Sequence, residues 1–260
     1  MRAIWKGAIS FGLVTIPIKV YPAIKKEKIS FTSLCPHCKQ PIKHKRWCPH
    51  CNKEVGYEEL LKGYKIAKDK YVILTKKDLE GIKLKTTKCI EIYEFVDLNQ
   101  IDPIYFETAY YIVPDELGIK AYSLFAEALR LSNKAAIGKV VMRNKEYVVL
   151  LRAYKKGIAM HILHYLGEVR NIEELEEIKG LVTLTEQEIN LALALIEKMS
   201  SKELDLSRYK DRYTEMLKEL IQAKIKGEEL VKEEEKEEAK AADLMDALKQ
   251  SIQIIEKKKT

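Results

Sequence analysis

The sequence is poor in the features that mark several protein classes. Its seven prolines and eleven glycines are too few for a collagen-like or low-complexity chain. No apolar run reaches the roughly 20 residues that a membrane-spanning helix requires, and the N-terminal residues lack the apolar stretch of a signal peptide. We therefore predict a cytoplasmic globular protein. Its 260 residues, 47% of them hydrophobic, are sufficient for one or two domains with buried cores.

Residue patterns of common active sites are also missing. The sequence has no Gly-rich phosphate-binding loop, no HExxH motif and no serine in a nucleophile elbow. His161 and His164, with Glu168 nearby, come closest to a catalytic cluster. They lie in a segment predicted to be extended, where the two histidines point to opposite faces and cannot chelate one ion. We therefore predict that the protein is not an enzyme.

The formal net charge of +7 is unevenly distributed. Residues 1–51 carry ten basic residues and one acidic residue, a net charge of +9. Residues 52–170 carry twenty and sixteen, a net charge of +4, whereas residues 171–260 carry sixteen and twenty-two, a net charge of −6. The basic part of the chain attracts polyanions, and nucleic acid is the first candidate ligand. The alternative is a thermophile-like surface rich in lysine and glutamate, without a target.

The first 170 residues have the apolar alternation of short strands. Residues 9–21 are rich in β-branched and aromatic side chains and are predicted to form one bent or edge strand. Turn residues predict hairpins between many of the other strands, and helical spacing predicts one inserted helix that stops at Asn133. This pattern favours a mainly β fold with some α (α+β), a β-barrel rather than a parallel sheet. The other predicted strands are 64–67, 71–75, 89–96, 108–113, 137–142, 147–153 and 158–166, and the helix is 120–131.

From residue 171 onward the pattern is helical. Thr185 and Glu188 form a capping box that predicts a helix over 186–199. A second helix is predicted over 209–226, because an apolar stripe ends there at Gly227. Residues 228–240 have almost no apolar side chain and are predicted to be a solvated helix or a linker.

Four of the five cysteines form two CPHC motifs separated by nine residues: Cys35, Cys38, Cys48 and Cys51. A two-residue gap lets one turn aim both thiolates at a single ion, and two such turns complete a tetrahedron. Four sulfur ligands with no open position favour structural Zn²⁺. Iron in a rubredoxin-like site is the main alternative, and a disulfide pair or four free thiols is a weaker one.

The nine residues between the two motifs include Lys43, Lys45, Arg46 and Trp47. Cations on a metal-stiffened hairpin neutralise phosphates, and Trp47 is placed to pack on a sugar or a base. The competing interpretation is a solvated loop in which Trp47 covers the metal site. We favour phosphate contact because the surrounding region is basic.

Several segments, taken together, resemble prokaryotic Ku proteins. They are residues 1–21 (MRAIWKGAISFGLVTIPIKVY), 61–64 (LKGY), 71–75 (YVILT), 101–106 (IDPIYF), 120–130 (KAYSLFAEALR) and 209–213 (YKDRY). The resemblance implies a Ku-core-like β-barrel with bridge loops, and a homodimer that forms a ring around DNA ends. The family's role is non-homologous end joining at double-strand breaks, in which the DNA-bound dimer recruits an ATP-dependent DNA ligase. Residues 243–252 (DLMDALKQSI) resemble the segment that engages this ligase.

With this resemblance, four regions are expected. They are a DNA-binding barrel with a zinc-binding bridge hairpin at 35–51 (1–170), a helical region supporting dimerisation (171–227), a charged linker (228–242) and a ligase-docking segment (243–260). The basic residues expected to line the ring are Lys6, Lys43, Lys45, Arg46, Lys139, Arg143, Arg152, Lys155 and Lys156. The residues expected to contact the ligase are Leu244, Met245, Leu248 and Ile252. Nucleoid association follows from the expected ligand. A zinc-ribbon RNA-binding or transcription-associated protein is the alternative.

Overall fold

The structure is a computed structural model that describes residues 1–25, 29–81, 88–227 and 244–259. The chain divides into two compact units, residues 1–170 and 171–260. We call them the barrel unit and the helical unit. None of the described helices combines the length and the hydrophobicity needed to span a bilayer.

The elements follow one another in this order. The described strands are β1 (Trp5–Phe11), β2 (Val14–Pro22), β3 (Trp47–Cys48), β4 (Lys53–Glu54), β5 (Lys62–Ala67), β6 (Lys70–Leu74), β7 (Cys89–Asp97), β8 (Phe106–Pro114), β9 (Lys134–Met142), β10 (Lys145–Tyr154) and β11 (Gly157–Leu163). The described α-helices are α1 (Lys76–Gly81), α2 (Ile119–Ser132), α3 (Glu176–Lys179), α4 (Glu186–Met199), α5 (Arg212–Lys226) and α6 (Leu244–Lys259).

Seven strands close into a barrel in the order β1-β2-β8-β11-β10-β9-β7. Neighbouring strands are antiparallel except β1 and β7, whose parallel pairing closes the barrel. The predicted β-barrel is therefore confirmed. Between β2 and β7, the chain forms two separate two-stranded hairpins, β3–β4 and β5–β6. No described residue of 29–81 is buried, so these hairpins lie outside the barrel core.

The prediction of one bent strand over residues 9–21 is wrong. The segment is a hairpin, in which β1 and β2 are joined at Gly12, whose φ of +56° favours glycine. Ile9 pairs directly with Ile16, and both side chains are fully buried. Seven residues apart in a single strand, they would face opposite sides. The reversal at Gly12 is what places both in the core.

Inward-facing side chains of the barrel pack against helix α2 through its buried Tyr122, Phe125 and Leu129. The Tyr122 hydroxyl donates to the carbonyl of Ile112 at 2.6 Å and accepts from the backbone N–H of Ile158 at 2.9 Å. It thus links the helix to two paired strands, β8 and β11. Asn133 ends the helix in the left-handed conformation, as the sequence predicts.

The helical unit is built differently. Helix α4 has the predicted bounds and capping box, with Thr185 and Glu188 bonded to each other's backbone N–H groups. Helix α5 starts at Arg212 instead of Tyr209, because the Asp211 side chain caps the N–H of Thr214. Gly227 ends the helix, as predicted. Helix α6 packs against α4. Among the described residues of this unit, only Ala223 is buried.

Candidate nucleic-acid interface

A row of side chains crosses four barrel strands on the outer surface. Strand register places Tyr21 beside Tyr111, Tyr111 beside Ala159, and Ala159 beside Arg152. These positions alternate with core residues such as Val20, Ile112 and Leu151, so they face outward, although the small Ala159 side chain is buried under its neighbours. We call Tyr21, Tyr111, Ala159 and Arg152 the tyrosine–arginine row. Sequence reasoning found Arg152 and missed the tyrosines, because their alignment depends on the pairing of distant strands.

Arg152 is held in place by the side chains of His161 and Tyr154. Its Nε donates to Nε2 of His161 at 3.2 Å, and its guanidinium carbon lies 5.3 Å from the Tyr154 ring centre. Tyr154 in turn stacks on Tyr111, with ring centres 5.8 Å apart and planes at 18°. Lys155 Nζ lies 5.7 Å from the same Tyr154 ring. Lys155 and Lys156 are exposed in the adjacent turn.

The electrostatics keep Arg152 available to an anion. Burial, together with the Arg152 charge, lowers the pKa of His161, so its imidazole is neutral at neutral pH. A neutral imidazole orients the guanidinium without neutralising it. Arg152 forms no ion pair with any carboxylate of the described residues. A planar cation over an aromatic ring is typical of surfaces that contact phosphates and stack on sugars or bases.

Lys6 lies on the outer surface of the barrel beside another cation, Lys19. It pairs across β1 and β2 with Lys19, and both line a surface cavity of about 550 Å³ with Arg2 and Tyr21. Lys19 Nζ lies 2.9 Å from Asp115 Oδ1, which raises the pKa of Lys19 and lowers that of Asp115. Lys6 is exposed and forms no ion pair within the described part of the chain.

Lys139 and Arg143 lie on the β9–β10 hairpin, away from the tyrosine–arginine row. Lys139 Nζ contacts Glu146 Oε2 at 3.1 Å, which raises the pKa of Lys139. Arg143 is exposed at the turn, where its φ is +52°. The structure therefore separates the predicted cations of the barrel into distinct groups, and Lys139 already has an acidic partner.

Two cations of the predicted bridge hairpin also have partners inside the protein. Lys45 Nζ lies 2.8 Å from Glu54 Oε2, and the guanidinium carbon of Arg46 lies 5.1 Å from the Tyr57 ring centre. Lys43 is exposed, and Trp47 is 56% exposed. An exposed ion pair contributes little to stability. Lys45 can therefore exchange Glu54 for a phosphate at small cost.

Each CPHC motif forms a turn, and a residue with positive φ follows it: Lys39 at +58° and Asn52 at +51°. The backbone N–H groups of Cys38 and His37 lower the pKa of the Cys35 thiol. The backbone N–H of Cys51 does the same for Cys48. This arrangement within each turn fits a thiolate ligand. Among the described residues, however, no group of three or more His, Cys, Asp or Glu side chains is gathered around one point. The four-cysteine zinc site remains a prediction.

The segment predicted to contact a ligase forms helix α6. Met245, Leu248 and Ile252 are half-buried on one stripe of this helix. The Leu244 side chain lies outside the described side chains. Asp243, Thr260 and the predicted linker 228–242 lie outside the described residues.

Comparison with known proteins places this geometry in a family context. Residues 10–191 match the family described as Ku: Ku70/Ku80 beta-barrel domain. A protein of Archaeoglobus fulgidus named "Non-homologous end joining protein Ku" is 46% identical over 98% of this chain and 100% of its own length. Proteins with the same name from Heliobacterium modesticaldum and Bacillus subtilis are 39% and 36% identical over 97% of this chain, covering 92% and 82% of their lengths.

Proposed function

The chain belongs to the Ku family, and on that premise we propose that it binds ends of double-stranded DNA during non-homologous end joining. The observation that carries the proposal is the 46% identity to a relative of that name over the relative's whole length. That match includes the helical unit as well as the barrel unit. The alternative of a zinc-ribbon RNA-binding or transcription protein has no support from these similarities.

The outer barrel surface supports binding without sequence preference. Arg152, Lys155, Lys156 and Lys6 are cations on one barrel unit, and the adjacent tyrosines present ring faces. Phosphates and sugars are the same in every sequence, so cations and aromatic faces at the backbone fix position without reading bases. We propose that these side chains line a ring that admits DNA only at a free end.

A ring requires two copies, and the helical unit supports a homodimer. Its exposed apolar side chains include Ile189 (44% exposed), Leu193 (56%) and Ile196 (61%) on one side of α4. Exposed apolar surface of this kind is characteristic of protein interfaces. We assign dimerisation to residues 171–227, and recruitment of an ATP-dependent end-joining ligase to the apolar stripe of α6.

We further propose that Cys35, Cys38, Cys48 and Cys51 hold a structural zinc ion. When bound, zinc cross-links the two CPHC turns and supplies no chemical step. Their backbone N–H groups already favour the thiolate form of the first cysteine in each turn. Elemental analysis of the purified protein should give one zinc per chain. No metal, or one iron per chain, would refute this assignment.

The decisive experiment compares one DNA sequence in three forms: linear, with hairpin-blocked ends, and as a closed circle. The ring predicts tight binding to the linear form and weak binding to the other two. Equal capture of the closed circle would refute end-dependent binding.

A second experiment tests the bridge hairpin. Replacing Lys43, Lys45 and Arg46 with alanine should lower affinity for every linear duplex alike. Each lost phosphate contact should reduce the slope of log affinity against log salt by about one. A triple variant with unchanged affinity and slope would show that the hairpin does not contact DNA.

A further inference from the structure

Helix α6 has one apolar stripe, and the side chains of that stripe are already partly buried within the protein. Met245, Leu248, Ile252 and Ile255 lie at positions i, i+3, i+7 and i+10, and all four are half-buried. Ile254, on the other side of the helix, is 55% exposed. The covered side is therefore the one proposed to contact the ligase.

The covering surface belongs to helix α4, which α6 contacts. Helix α4 is apolar on two sides. Leu191 and Leu195 are half-buried, whereas Leu193, between them in sequence, is 56% exposed. An isolated helix of the length of α6 is marginal in water, so packing against α4 contributes to its helical state.

From this packing we infer that α6 closes against α4 through the side chains that would dock on the ligase, so that the two contacts exclude one another. The inference rests on the proposed function of α6. One apolar stripe cannot be buried against two surfaces at once. The α4 contact is intramolecular and forms at any protein concentration. The apparent affinity for the ligase is then the intrinsic affinity multiplied by the open fraction of α6.

The test opens the contact from the α4 side and leaves α6 unaltered. The double variant L191K/L195K should expose α6 in the full chain, whereas N190K, at an exposed polar position of the same helix, is the matched control. Hydrogen exchange of α6 amides, measured without ligase, should become at least about tenfold faster in the double variant. The ligase dissociation constant should fall about tenfold, which corresponds to a closed state populated about nine times in ten. L195A serves if the lysine variant does not fold.

The ligase in this test is the ATP-dependent end-joining enzyme of the same organism. Unchanged exchange in the opened variant overturns the inference, as does faster exchange with unchanged ligase affinity. Exchange that slows with protein concentration would show that α6 docks on another copy, which also overturns it. Deletion of residues 243–260 is the separate control. If the truncated chain still binds the ligase, the proposed function of α6 is wrong. Hydrogen exchange of α6 in the full chain would still report whether α6 packs against α4.

Discussion

The barrel unit and the helical unit bury their apolar side chains to very different extents. Apart from Ala223, every buried hydrophobic residue of the described chain lies in the barrel unit. There, inward positions of seven strands converge with α2 on the main core, and a second, smaller cluster contains Ala135, Leu150 and Leu163. In the helical unit, leucine and isoleucine side chains remain half-buried or exposed. The barrel unit therefore contains its own stabilising core, whereas the helical unit leaves much of its apolar surface exposed.

The two units also differ in charge. Residues 1–170 carry thirty basic and seventeen acidic residues, a net charge of +13, and residues 171–260 carry a net charge of −6. The basic unit attracts a polyanion, and the acidic unit does not. The proposed polyanion-binding surface and the proposed partner-binding surfaces therefore lie in separate compact units of one chain.

The largest effect should come from paired leucine truncations, one in each unit. Leu151 is fully buried in the barrel, and L151A should lower the free energy of unfolding by about 3 kcal/mol through lost packing and a cavity. L193A, at a side chain that is 56% exposed, should leave the barrel unchanged. Denaturant unfolding followed by the fluorescence of Trp5, which packs against the core, measures both. Equal losses of unfolding free energy in L151A and L193A would contradict the conclusion that the barrel unit contains the stabilising core.

The second prediction concerns the Tyr122 hydroxyl, which provides hydrogen-bond partners for two backbone groups in the barrel core. Y122F leaves the Ile158 N–H and the Ile112 carbonyl without this partner. We expect a loss of about 2 kcal/mol in unfolding free energy, since buried polar groups without partners are costly. Y213F removes the hydroxyl from a side chain that is 74% exposed and should have no effect. A neutral Y122F would show that other groups replace both hydrogen bonds.

The charge contrast predicts that arginines of the two units differ in DNA binding. R152A should weaken binding of linear duplex about threefold to tenfold and reduce the salt slope by about one. R152K keeps the charge but loses the planar guanidinium over Tyr154, and should recover the salt slope more than the affinity. R208A, which breaks an exposed ion pair with Asp205, should change neither quantity. An effect of R208A as large as that of R152A would contradict the predicted difference in DNA binding between the two units.

The smallest expected effect is the dependence of helicity on acidic pH, through the Thr185–Glu188 cap of α4. The Thr185 hydroxyl and backbone N–H lower the pKa of Glu188 below its ordinary value. A lowered folded-state pKa means that the stabilisation is complete above the unfolded pKa of about 4.3. It is lost as pH falls through the folded pKa. Helicity by circular dichroism should therefore fall as the pH drops below about 4.3. E188Q should weaken this dependence, and an unchanged profile would contradict it.

Sequence reasoning succeeded where structure depends on neighbouring residues. The Thr185–Glu188 box marks the start of α4, and Asn133 and Gly227 mark the ends of α2 and α5. It failed at the β1–β2 hairpin, because alternation of apolar residues does not reveal a reversal at Gly12. It also did not reveal the glutamate partners of Lys45 and Lys139, two of the cations predicted to line the ring.

By itself, the sequence determined the family, the strand-rich basic region and the helical acidic region, because these properties reside in composition, spacing and local caps. Only the tertiary structure decided which side chains meet. Tyr21, Tyr111 and Arg152 are far apart in the chain and become neighbours through strand register. In the same way, the stripe of α6 is covered because α4 packs against it. Contacts between distant segments depend on how the whole chain closes, and no local pattern specifies them.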